Sequence, residues 1–214
     1  MAVTDGRFTI NKNTYNNYKM ENKIKAQIAS SIATKEALLN DEAQINIIKQ
    51  AAQLVVDAYK AGNKTLLAGN GGSAADAQHI AGEFVSRFYF DRPGLSSIAL
   101  TTDTSVITAI GNDYGYEKLF SRQVQAIGSA GDVFIGISTS GNSPNIIAAL
   151  LECKTKGIKT IGFTGSAGGK MDDLCDICIK VPSTETPRIQ EVHILIGHII
   201  CYIVEEEIFG SLKP

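Results

Sequence analysis

Beyond residue 62 the chain alternates short apolar runs with helix-length stretches, and that alternation constrains its fold more than any other feature. The runs are Thr65 to Ala68, Ser97 to Leu100, Val133 to Ile137, Thr160 to Phe163 and Ile177 to Val181. Each is too short for a stable helix, and the longer ones lack polar alternation, so they read as strands covered on both faces. Strands separated by helical segments build βαβ units. The sequence therefore predicts an α/β fold: a doubly wound, mainly parallel five-stranded sheet with helices on both faces. In such open sheets ligands lie beyond the carboxyl ends of the strands, beside the topological switch point. The segments after Ala68, Leu100, Ile137 and Phe163 are the first places to look for chemistry.

Two helices are expected ahead of the first strand. Apolar residues recur at Ile24, Ile28 and Ile32 between Glu21 and Leu39, and a second periodic run covers Gln44 to Tyr59 before Ala61-Gly62-Asn63 stops it. Residues 1–20 are polar and follow neither period, so they read as a disordered arm or added sequence, with Met20 a candidate start. Residues 21–214 are then one domain with a helical extension at its N-terminus. A last helix is expected from Arg188 to Phe209, apolar around much of its circumference. A central core helix and a helix packed on a second subunit both fit that pattern.

With a formal charge of −2 over 214 residues, the chain lacks the basic excess that general nucleic-acid binding needs. No apolar run reaches the ~18 residues of a membrane span and no charged-then-apolar leader opens the chain, so a cytoplasmic protein is expected. Its four cysteines are Cys153, Cys175, Cys178 and Cys201. Cys175 and Cys178 form a C-x-x-C with no second pair, at the start of a strand, and read as reduced small hydrophobes.

Chemistry concentrates in five places. Ser138-Thr139-Ser140-Gly141-Asn142-Ser143-Pro144 crowds hydroxyls and backbone N–H groups between a buried strand and a proline-initiated helix, a setting suited to a phosphate. No Gly-Lys-Ser/Thr follows, so a sugar phosphate fits better than a nucleotide triphosphate. After the first strand, Gly69-Asn70-Gly71-Gly72-Ser73 lets the backbone approach a ligand, with Ser73 placed to cap the next helix. That helix sets His79 and Glu83 on one face, flanked by Asp76 and Arg87, where imidazole and carboxylate can share a metal or relay a proton. Asn112-Asp113, read as part of a loop from Ile110 to Gly115, offers an amide and a carboxylate to sugar hydroxyls. On the last helix, His193 reads as a surface or interface group. His198, set among isoleucines, reads as a buried imidazole that needs a partner.

These motifs together, in this order from about Glu21 to Phe209, resemble the phosphoheptose isomerases of the sugar isomerase (SIS) superfamily. The resemblance implies the SIS fold, a homotetramer with sites at subunit contacts, and conversion of D-sedoheptulose 7-phosphate to D-glycero-D-manno-heptose 7-phosphate for surface heptose. It assigns Ser138, Thr139, Ser140 and Ser143 to the phosphate. Asn70, Gly71, Gly72, Glu83, Asn112, Asp113 and Gln190 are assigned to the sugar, and Glu83 and His198 to acid/base catalysis. Zinc is implied at His79, Glu83, Gln190 and His198. Two other roles share the fold: a non-catalytic binding protein similar to the replication initiator-associating SIS protein, and an isomerase or sensor of another sugar phosphate. Glu83 and His198 favour the isomerase over the binding protein, since proton transfer needs both.

Overall fold

The computed structural model describes residues 12–213, with side chains placed from Lys19 onward. Two helices lead the chain, α1 (Lys12–Leu39) and α2 (Glu42–Lys60). Then come β1 (Thr65–Gly69), α3 (Gly72–Val85), β2 (Ser97–Ala99), α4 (Thr104–Tyr114), α5 (Leu119–Ile127), β3 (Val133–Ile137) and α6 (Pro144–Lys156). β4 (Lys159–Thr164), the short α7 (Met171–Leu174), β5 (Ile177–Lys180) and α8 (Thr186–Phe209) complete it. The five strands form one sheet in the order β2-β1-β3-β4-β5, and every pairing is parallel.

Helices cover both faces, as continuous apolar strands require. On one face Leu67, Ile135 and Phe163 join side chains of α2, α3 and α8, such as Val55, Ile80 and Ile196. On the other, Leu66 and Phe134 meet Val124 of α5 and Leu150 of α6. The strand order reverses between β1 and β3. There Gly69 pairs with Ile137, which pairs in turn with Phe163, so the three strands end level. Asn70, Ser138 and Thr164 therefore leave the sheet side by side, about 4.8 Å apart from strand to strand.

The arm expected over residues 1–20 is described only in part. Residues 1–11 lie outside the described residues, but the backbone is already helical from Lys12. Extending a formed helix adds one hydrogen bond per residue fixed, so a polar stretch continues the helix that Ile24, Ile28 and Ile32 mark. The loop expected from Ile110 also differs, because α4 runs through Asn112 and Asp113 and stops only at Gly115. Gly115 has φ +84°, a conformation that ends the helix and that side chains with a Cβ rarely adopt.

The last helix buries one face and keeps another half-exposed. Ile189, Val192, Ile196, Ile200 and Val204 are buried, while Leu195, Ile199 and Ile203 join Leu38, Leu39 and Ile45 in an apolar groove of about 380 Å³.

Candidate active site

The turn from β1 into α3 is built on glycine. A Cβ at Gly69 would lie 2.4 Å from the carbonyl oxygen of Ser73, and Gly71 has φ +57°. Gly71, not Ser73, is the N-cap of α3. Ser73 is buried within the first turn, its N–H donating to the Asn70 carbonyl at 3.0 Å.

Down this helix, His79 and Glu83 lie one turn apart, as the i, i+4 spacing dictates, with Nε2 3.0 Å from Oε1. α8 runs alongside in the same direction. Gly72 meets the Gln190 amide at one end, where an added Cβ would come within 2.7 Å of Nε2. At the other, His198 Nε2 lies 3.4 Å from His79 Nε2, the rings edge to face. Gly197 permits this approach, since a Cβ there would sit 2.5 Å from Ile80 Cδ1. Gln190 and His198 are eight residues apart, about 12 Å along a helix, so Gln190 meets α3 at Gly72, about two turns before His79.

One ligand atom from each of His79, Glu83 and His198 lies within 4.8 Å of the other two. Two nitrogens held 2.0–2.1 Å from one tetrahedral zinc would be about 3.3 Å apart, and the His79–His198 separation of 3.4 Å matches that geometry. Two imidazoles and a carboxylate are also a donor set that zinc takes. The residues fit a divalent cation. Asp76, one turn before His79, has one carboxylate oxygen buried without a partner, and burial pushes its pKa up to about 6 against the pull of His79.

Beyond β3, three hydroxyls gather. Ser138 is buried, its Oγ 2.8 Å from Ser143 Oγ and 3.5 Å from Ser140 Oγ. The turn closes at Gly141, with φ +65° and no room for a Cβ beneath the Gly168 carbonyl. Ser143 occupies the N-cap of α6 without bonding the helix through its side chain. Pro144 has no N–H and the N–H groups of Ile146 and Ile147 donate to the Ser143 carbonyl, which leaves Asn145 N–H as the first-turn donor without a partner among the described residues. Thr139 is pinned through its backbone, accepting from Gly165 N–H at 3.0 Å.

The structure thus brings together His79 with Glu83 and His198, Gln190 with Gly72, and Ser138 with Ser140 and Ser143. Asn112 and Asp113 stand exposed on α4, where the Asn112 amide donates to Asp113 at 2.8 Å. Two partners of Asn70 escaped the sequence reading. Asn145 bonds it in both directions and the Tyr116 hydroxyl donates to it. Asn145 directly follows the proline at the head of α6, a position that could have flagged it.

The histidines exchange expected places. His193 is fully buried, with Nε2 3.1 Å from the Thr164 carbonyl, whereas His198 is half-exposed beside His79. Position on a helix whose neighbours differ from face to face decides this, and apolar sequence neighbours do not. Burial pushes the His193 pKa down to about 4, despite the opposing bond to Thr164. Between the unfolded pKa near 6.5 and about 4, only the unfolded chain binds this proton, so stability is lost as pH falls through that window. Asp76, its pKa raised, acts in the opposite sense over an overlapping range, so the comparison is made against a variant. Urea denaturation should show the stability difference, wild type minus His193→Gln, falling by on the order of 2 kcal/mol from pH 7 to pH 4.5. An unchanged difference would contradict a neutral buried imidazole.

Both thiols of the C-x-x-C are partly buried and their pKa values are raised by that burial, so Cys175 and Cys178 stay protonated near neutrality. Among the described residues no helix is long and apolar enough to cross a membrane.

The SIS domain model matches residues 28–165. Phosphoheptose isomerase 2 of Campylobacter jejuni is 73% identical over 188 residues, covering 88% of this chain and 94% of that protein. The phosphoheptose isomerase of Aneurinibacillus thermoaerophilus is 70% identical, covering 90% of this chain and 97% of that one. The solved phosphoheptose isomerase of Neisseria gonorrhoeae superposes with a TM-score of 0.82 at 42% identity, over 87% of this chain and 99% of that one. The chain belongs to the phosphoheptose isomerase family of SIS-domain proteins.

Proposed function

We propose that the chain isomerises D-sedoheptulose 7-phosphate to D-glycero-D-manno-heptose 7-phosphate, the first step toward ADP-heptose for lipopolysaccharide or capsule. The observation that carries the mechanism is the convergence of Glu83 and His198, from helices over a hundred residues apart, on one cluster with His79. Ser138, Thr139, Ser140, Ser143 and the Asn145 N–H anchor the phosphate. Asn70, Gly71, Gly72, Glu83, Asn112, Asp113 and Gln190 hold the sugar chain.

In the reaction the Glu83 carboxylate takes a proton from C1, the electron pair forms the C1–C2 double bond, and the C2 oxygen gains a proton from His198. The enediol then gives its O1 proton to His198 while Glu83 returns a proton to C2. Both groups end as they began. Zinc is the proposed cation at His79, Glu83 and His198, an occupancy that would take His198 Nε2 out of the proton transfers; Gln190, which the resemblance adds, meets Gly72 about two turns away. Bound at the cluster, the cation would polarise the sugar oxygens as a Lewis acid. The protein is proposed to be a cytoplasmic homotetramer with sites at subunit contacts. The groove along Leu195, Ile199 and Ile203 and the exposed row Ile24, Ile28 and Ile32 supply apolar surface for such contacts.

The test is direct. Purified protein incubated with sedoheptulose 7-phosphate should form the aldose heptose phosphate, and should act far less on ketohexose phosphates under the same conditions. Preference for a ketohexose phosphate would move the assignment to another sugar.

A further inference from the structure

We infer that Asn145 and Tyr116 are positioning residues that lock the side-chain amide of Asn70 as a hydrogen-bond donor toward the sugar. This rests on the reading that Asn70 faces the sugar chain. Asn70 stands just beyond β1, and Asn145, only 2% exposed, is the second residue of α6. The two amides bond reciprocally across 75 residues of sequence. Asn70 Nδ2 donates to Asn145 Oδ1 at 2.9 Å, and Asn145 Nδ2 donates to Asn70 Oδ1 at 2.8 Å. The Tyr116 hydroxyl, in the turn after α4, donates to the same Asn70 oxygen at 2.9 Å.

An amide oxygen has two lone pairs and an amide nitrogen two protons. Both lone pairs of Asn70 Oδ1 are occupied, and one of its two N–H groups is committed to Asn145. One N–H remains. Toward a ligand Asn70 can therefore donate, while accepting would require breaking an existing bond. A donor fixed in advance suits a sugar oxygen on which negative charge grows during proton transfer, since no reorganisation is needed when the charge appears. The Asn145 oxygen and nitrogen both engage Asn70, which ties the glycine turn after β1 to the head of the helix that carries the hydroxyl cluster.

The experiment is a pair of double-mutant cycles read through kcat, KM and competitive inhibition by inorganic phosphate. Asn70→Ala should lower kcat on the order of a hundredfold. Asn145→Ala should lower it about tenfold and Tyr116→Phe about fivefold, with KM and the phosphate inhibition constant within about twofold of wild type. In the Asn70→Ala background, neither second substitution should cost more than about twofold further, because both act only through Asn70.

Fully additive losses would overturn the inference. So would weakened phosphate inhibition in Asn145→Ala, which would place that residue in support of the phosphate cluster instead. Should Asn145→Ala fail to fold by circular dichroism, the Tyr116→Phe cycle decides alone, since that side chain is 65% exposed and loses only a hydroxyl. Absent turnover in the wild type overturns the isomerase reading and this inference with it. Wild-type turnover with additive losses overturns this inference only.

Discussion

Glu83→Gln is expected to retain fold and sugar-phosphate binding while kcat falls by roughly three orders of magnitude, the middle of the range for losing a general base. The glutamine keeps the side chain's shape in a setting where only a quarter of it is exposed, so packing between α3 and α8 should hold. It removes the negative charge, and an amide cannot take a proton from carbon. Wild-type kcat in this variant would remove Glu83 from the mechanism.

Metal content measured alongside separates two roles that meet on the same side chains. His79 and His198 remain in the variant, so retained metal with lost turnover assigns the loss to proton transfer. Joint loss of metal and turnover assigns Glu83 to the cation as well. The same logic applies to His198, because an Nε2 that coordinates a cation has no lone pair left for a proton. Turnover that survives complete chelation assigns that nitrogen to acid/base work.

The fold was legible because buried parallel strands have little freedom in composition. Apolar runs at Leu66, Phe134 and Ile161 admit few other readings once helical segments separate them, and the observed strands begin and end within a residue or so of the expected ones. The proposed site was partly legible for a similar reason: His79 and Glu83 are set on one face by local periodicity. What escaped depends on contacts distant in sequence. Asn145 reads as an ordinary first-turn residue until β1 and β3 lie side by side and bring Asn70 against it. Gly111 inside α4 resembles a turn residue, and only Gly115 with its positive φ shows where the helix ends. On α8, apolar residues on nearly every side hide which histidine faces the core, and neighbouring helices decide between His193 and His198.

Another long-range contact braces the helix of the proposed site and yields the largest stability prediction. Glu205 of α8 is fully buried, and its carboxylate accepts N–H bonds from Phe88 and Tyr89 at 2.7 Å each and from Arg92 at 3.0 Å. Arg92 in turn donates to the carbonyls of Phe84 at 2.7 Å and Glu83 at 2.9 Å, the last turn of the helix that carries the proposed base. Burial alone would raise the Glu205 pKa, but the two backbone donors and the guanidinium outweigh it and hold the group below its usual range. A depressed carboxylate contributes stability above its unfolded pKa near 4.5 and loses that contribution as pH falls below it. Glu205→Ala leaves the Arg92 charge buried without its counter-ion and two backbone donors without an acceptor. That change should cost about 3–5 kcal/mol in urea denaturation at pH 7. Arg92 would also be freed from its anchor on α8, so the folded fraction should show lower kcat through displacement of Glu83, although neither residue is assigned to substrate. A loss under about 1 kcal/mol would mean that water or a shifted side chain replaces the carboxylate, and the α3–α8 clamp would then lie elsewhere.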